Sequence, residues 1–116
     1  MQIVLEVCRL SSLLPRDEKY GLKVQLQRAA VSIPSNIAEG CGRESDRDFK
    51  RFLHIAMGSA FELETQLILT HHLELIPRTN FDRMLALLSE EEKMINTFIS
   101  AVKNRKPNTQ PPKRGD

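Results

Sequence analysis

Basic side chains carry the most suggestive chemistry in this chain. Lys23, Gln27 and Arg28 fall in one helical segment, Arg43 in the turn after it, and Arg47, Lys50, Arg51 and His54 in the next segment. Arg47, Arg51 and His54 are spaced by four and three, which puts them on one face of a helix. A guanidinium binds phosphate through two parallel hydrogen bonds, and several such contacts give a nucleic-acid affinity that falls steeply with salt. Lys23, Arg28, Arg43, Arg47, Lys50 and Arg51 are therefore the candidate nucleic-acid-binding residues. The plainer reading is a solvated face, because Glu44, Asp46 and Asp48 are interleaved with them and charge runs most often serve solubility.

The acids and histidines point to no reaction. A di-metal bundle needs Glu and His three residues apart on two helices, and Glu62, Glu64, His71 and His72 do not have that spacing. Glu39 and Glu62 are instead expected to hydrogen-bond within the bundle or across a subunit boundary, near Asn36, Ser59 and Gln66 in the pattern. His54, His71 and His72 have no nucleophile arranged beside them, and there is no glycine-rich phosphate loop or GxSxG turn. Cys8 and Cys41 form no CxxC pair and suit reduced thiols in a cytoplasmic protein. The chain is expected to be no enzyme and to use no metal, cofactor or small-molecule substrate.

The elements that would hold these residues are helical. With 116 residues the chain suits one domain. Its 41% apolar and 28% charged content is that of a globular protein, and 5% aromatics with abundant Leu, Ala, Glu and Arg favour helix over sheet. The apolar run near the N-terminus is broken by Glu6 and Arg9 and is too short to span a membrane or export the chain. Ile3, Val7, Leu10 and Leu14 mark a first helix that Pro15 stops, with Asp17 available to cap the next and Glu18 favouring its dipole. Leu22, Leu26, Ala29, Ala30, Ile33 and Ile37 stripe a second helix, about Lys19 to Glu39, with a kink expected near Ala30 to Pro34. Gly40-Cys41-Gly42 is expected to end it through a left-handed glycine.

Ser45, with Asp48 three positions on, is set to cap a third helix whose core face runs from Phe49 to Leu67. Ile55, Met57, Phe61, Ile68 and Leu69 widen that face beyond one bundle's need, so these five are the candidate oligomer-interface residues. Gly58-Ser59-Ala60 predicts close helix approach, since glycine otherwise costs a helix stability. A fourth helix, capped by Thr79 or Asn80, carries Phe81, Met84 with Leu85, Leu88, Ile95, Phe98 with Ile99, and Val102 on one stripe. These assignments predict an all-α, antiparallel up-and-down four-helix bundle over residues 1–105. Residues 106–116, basic and proline-rich, are expected to be a disordered tail that could serve as an RNA-contacting arm. Charge divides along the chain: nine basic to seven acidic residues over 1–58, three to seven over 59–102, and five to one over 103–116. Unlike halves on one body suit contacts between copies.

Several of these residues together form a recognisable pattern. Tyr20-Gly21-Leu22, the run from Arg28 through Ser32-Ile33-Pro34-Ser35-Asn36-Ile37-Ala38-Glu39-Gly40, then Phe52-Leu53, Ile55-Ala56, Gly58-Ser59 and Glu62-Leu63-Glu64-Thr65-Gln66-Leu67 closely resemble the four-helix-bundle family named for the 23S rRNA intervening-sequence protein. The resemblance covers about Leu5 to Val102. It implies a bundle that assembles as a homopentamer, as in the related accessory variability proteins of diversity-generating retroelements, which present basic surface to RNA and to a reverse transcriptase. Two departures stand out. The family carries further residues before the position of Met1, so the first helix here looks cut short. It also often has paired arginines where this chain has Gln27-Arg28, which weakens a nucleic-acid role at that spot. The expectation is a non-catalytic homo-oligomeric scaffold contacting RNA or DNA, or an enzyme that acts on them; the alternative is a protein-binding adaptor or structural ring.

Overall fold

The computed structural model describes residues 2–18 and 20–105. Four helices follow one another: α1 (Gln2–Ser11), α2 (Leu22–Cys41), α3 (Asp46–His72) and α4 (Arg78–Lys103). Each packs on its neighbours in sequence and α4 closes on α1, leaving α1 and α3, and α2 and α4, as diagonal pairs. Short connections make successive helices antiparallel, and cross-helix contacts mark the register. Ser32 Oγ lies 2.7 Å from Ser59 Oγ across α2 and α3, the His71 ring stacks on Phe81 across α3 and α4 with centroids 4.2 Å apart, and Arg83 meets Glu6 at 3.1 Å across α4 and α1.

The expected stripes form most of the core; Phe98, expected on the inward side of α4, is instead 39% exposed, because its neighbour Ile99 takes the buried position. Ile3, Val7, Leu10 and Leu14 close one side, Leu22, Leu26 and Ile33 a second, Leu53, Leu63 and Leu67 a third, and Met84, Leu88 and Ile95 the fourth. Buried hydroxyls are satisfied locally: Ser11 and Thr70 donate to the carbonyls of Val7 and Gln66, at 2.7 and 2.6 Å. Glu6 is the exception, a carboxylate buried where α1 meets α4. Arg9 at 2.6 Å and Arg83 at 3.1 Å clasp it, giving the charge the partners that burial demands.

Helix ends differ from expectation in four places. α1 stops at Ser11, short of the end expected at Pro15, and the Ser12 hydroxyl takes the Arg9 carbonyl. The start expected at Lys19 lies outside the described residues, and α2 begins at Leu22 behind Gly21, whose φ of 69° is left-handed. Asp17 does not cap it; the Glu18 carboxylate accepts from the backbone N–H groups of Tyr20 and Leu22, because its longer side chain reaches forward to donors that Gly21, with no side chain, cannot satisfy. At the other end Cys41 is the last helical residue and Gly42 has φ −82°, so no left-handed cap forms; its N–H turns inward to the carbonyls of Ala38 and Glu39. Neither Thr79 nor Asn80 caps α4, since both lie inside it and Pro77 stands at the cap, where its missing N–H costs nothing.

Within α2 the helix runs unbroken through Pro34, although proline withholds the N–H that the Ala30 carbonyl would accept. Ala30 and Ile33 just before it are fully buried, and that packing offsets the loss. Ser45 caps α3 as expected, its Oγ accepting from the Asp48 N–H at 3.1 Å. The tail expected at 106–116 lies outside the described residues.

Candidate functional site

The corner between α2 and α3 gathers the basic cluster. Gly40 makes the corner tight: a Cβ there would sit 2.9 Å from both Phe49 Cδ1 and Phe52 Cβ. This lets Phe52 lie half-buried against the end of α2, with the Arg43 and Arg51 guanidinium carbons 4.8 and 4.6 Å from its ring centroid. The ring holds two otherwise flexible cations in place. Arg43 also pairs with Glu39 at 3.2 Å and Arg51 with Asp48 at 4.0 Å; both pairs are exposed, of the kind that contributes little and yields readily to a competing anion. Arg47 is exposed on the same helix face, and Lys50 is half-buried beside it.

Not all six expected residues meet here. Lys23 lies half-buried in the first turn of α2, about 30 Å from the corner at 1.5 Å per residue, and Arg28 is exposed about 20 Å away. Arg43, Arg47, Lys50 and Arg51 therefore form the cluster without them. Sequence spacing missed Arg105, which ends the described chain at the same corner through a 2.7 Å ion pair with Asp46. Nothing local in the sequence links those two residues, which are brought together by the antiparallel run of α3 and α4. The corner also bears a shallow depression lined by Ser35, Ala38, Glu39, Gly42 and Arg43, open to solvent and mixed in polarity.

The apolar flank expected on α3 divides. Ile55, Phe61, Ile68 and Leu69 are exposed by 41, 54, 39 and 46%, as a contact surface requires. Met57 is not part of it: at 7% exposure it belongs to the core, because α3 packs against both α2 and α4 and buries the wider arc that includes position 57. Val24 and Val31, one heptad apart on α2, are exposed as well. The small-residue patch also divides. Ser59 and Ala60 face inward, whereas Gly58 is exposed.

Glu39 and Glu62 are exposed, paired with Arg43 and Gln66 respectively, so neither hydrogen-bonds in the bundle interior, the first of the two places expected for them. Hydroxyls and Asn36 take that place along the α2–α3 seam, where Asn36 Nδ2 donates to Ser32 Oγ at 2.9 Å. Between α3 and α4 two acids face each other. Burial first, then a hydrogen bond with Glu64 and the charge of that residue, holds the Glu92 carboxyl above the usual carboxylate range. Because its folded-state pKa is raised, the stability of this pair is present at acid pH and lost as pH rises through that pKa. Glu92→Gln, which keeps a donor toward Glu64 at every pH, is expected to stabilise the fold by about 0.5 kcal/mol at pH 8, with the gain vanishing near pH 3. Urea unfolding at the two pH values checks this.

Among the described residues, no group of three His, Cys, Asp or Glu side chains is placed to hold a metal ion. No described helix is long and apolar enough to cross a membrane.

Comparison with known proteins supplies the family. Curated proteins give no match. Among solved structures, the chain is similar to a protein of unknown function from the S23 ribosomal protein family of Bacteroides thetaiotaomicron, with 27% identity, a TM-score of 0.78, and coverage of 84% of this chain and 92% of that one. The sequence model of the 23S rRNA-intervening sequence protein family matches residues 1–97, nearly the whole bundle, and the chain belongs to that family.

Proposed function

We propose that this protein is a non-catalytic homo-oligomeric scaffold whose basic corner contacts structured RNA or an enzyme acting on it. The observation that carries the reading is the pairing of two surfaces on one small bundle: four large apolar side chains exposed on α3, and a cluster of Arg43, Arg47, Lys50 and Arg51 at one end. A lone bundle gains nothing from exposing Phe61 and Leu69 to water, whereas copies packed on that face bury them. Repeating the basic corner around an assembly multiplies phosphate contacts and gives avidity to cations that are individually weak. A ring of five is the assembly proposed from the family resemblance, and a reverse transcriptase, as in the accessory variability proteins, is one enzyme that such a ring could serve.

Two measurements test the proposal. Light scattering behind size exclusion is expected to give five times the chain mass at micromolar concentration; a monomer rejects the assembly. Binding to structured RNA is expected to weaken with salt, and Arg47→Glu/Arg51→Glu to weaken it by roughly a hundredfold at low salt, since each reversal removes one phosphate contact and adds a repulsion. Equal binding by this variant removes the basic corner from the site. If a partner protein is retained after nuclease treatment while RNA does not bind, the chain is a protein adaptor.

A further inference from the structure

One acid in this bundle serves two cations. Glu6 Oε1 accepts from Arg9 Nη1 at 2.6 Å and from Arg83 Nη2 at 3.1 Å, whereas among the described residues Arg43, Arg51, Arg78 and Arg105 each pair with an acid of their own. Two guanidiniums are thus held side by side around a single negative charge, an arrangement one anion short of neutral. Exposure shows from which side a second anion can enter. The Glu6 side chain is 10% exposed and those of Arg9 and Arg83 are 71 and 63%, so the carboxylate forms a floor and the cations stand over it. A guanidinium has five N–H donors, and one from each is used on Glu6.

Beside the two arginines a groove of about 270 Å³ runs between α1 and α4. Buried Leu10 and Met84 underlie it, Leu13 forms one wall at 52% exposure, and half-buried Asn80 brings an amide to its edge. Its size is just below that of small-molecule pockets and suits one or two side chains. The groove lies toward the C-terminal end of α1. Because α1 and α4 are antiparallel, residues ahead of Gln2 would follow α4 toward Met94, away from Asn80 and Arg83. A nucleic-acid backbone matches this surface poorly, since it would find two cations set around an acid and against apolar side chains, with Asp82 exposed next to Arg83. A carboxylate with an apolar neighbour matches both halves of it.

We propose that the α1–α4 groove docks an acidic peptide segment of a partner protein, an Asp or Glu carboxylate seating between Arg9 and Arg83 and an adjacent apolar side chain resting on Leu10, Leu13 and Met84. The charge is recognised by paired N–H donors of the guanidiniums, which bind carboxylates more strongly than neutral groups. Glu6 holds the two cations in place beforehand, which lowers the entropy cost of the contact. The groove lies near the start of α4, at the other end of the bundle from the basic corner at the start of α3, and the proposal requires neither RNA binding nor self-association.

The test is an amide NMR titration of the full chain with two short capped peptides, one alternating glutamate and leucine, the other with glutamine in place of every glutamate. The glutamate peptide is expected to shift the amides around Arg9, Leu13 and Arg83 with a Kd of about 1 mM or tighter, and the glutamine peptide to bind at least about tenfold more weakly. Arg83→Gln, which leaves Glu6 its Arg9 partner, should raise the Kd for the glutamate peptide at least about tenfold. Leu13→Asp should do the same while moving the thermal midpoint by no more than about 3 °C, because the side chain it replaces is exposed, so the test holds even where the arginine variant loosens the fold. Equal binding of the two peptides, no shift at these residues at about 10 mM peptide, or shifts confined to Arg43–Arg51 overturns the proposal. An RNA oligonucleotide that occupies the groove more tightly than the peptide also overturns it, as does peptide-driven release of the chain's own oligomers, which would make a second copy the occupant.

Discussion

Gly40→Val is expected to destabilise the protein by about 3 kcal/mol, enough to lower the melting temperature by roughly 10 to 20 °C. The corner of α2 and α3 has no room for a side chain. A Cβ at position 40 lies 2.9 Å from Phe52 Cβ and 3.3 Å from the Phe49 carbonyl oxygen. The Phe49 ring can swing aside, but Phe52 Cβ and the Phe49 carbonyl are fixed to the α3 backbone, so relief requires the two helices to separate. Gly40→Ala should cost less, about 1 kcal/mol, because better helix propensity offsets part of the clash. The damage extends to the candidate site, since Phe52 holds Arg43 and Arg51 in place. Thermal unfolding of the three proteins checks the order, and a valine variant as stable as the wild type would contradict the packing described.

Leu63→Ala and Phe61→Ala, two residues apart on one helix, should differ in their cost to the protomer by about 2.5 kcal/mol or more. Leu63 is fully buried at the centre of the core, and its truncation leaves a cavity that rigid neighbours cannot fill, at a cost of about 3 kcal/mol. Phe61 is 54% exposed, and its truncation should change protomer stability by no more than about 0.5 kcal/mol. Its effect belongs to self-association, which the proposal expects to weaken. Urea unfolding at low concentration separates the fold effect from the assembly effect, which would otherwise merge because assembly itself stabilises the folded state. If both truncations cost the protomer the same, the inner and outer faces of α3 have been misassigned.

What the sequence determined by itself is what short-range periodicity encodes. Apolar residues three and four apart place four helices and most of their inward faces, because a helix's geometry converts spacing into direction without reference to anything else. Ser45 was legible as a cap for the same reason: its partner, the Asp48 N–H, is three residues away. The basic residues Arg43, Arg47, Lys50 and Arg51 were legible as a group because they are close in sequence.

Tertiary structure decided whatever depends on which helix lies beside which. It assigned Met57 to the core, since the width of the buried arc on α3 is set by two neighbours and not by the helix itself. It left Lys23 and Arg28 away from the basic corner, brought Arg105 to Asp46 across 59 residues, and buried Glu6 between Arg9 and Arg83. It also changed the meaning of two glycines, since what surrounds each is set by other helices. Gly40 is required because another helix fills the space where its side chain would be, and Gly58 faces a space that the protomer leaves open. Spacing along a chain gives a side chain its direction; only the assembled neighbours determine what it meets there.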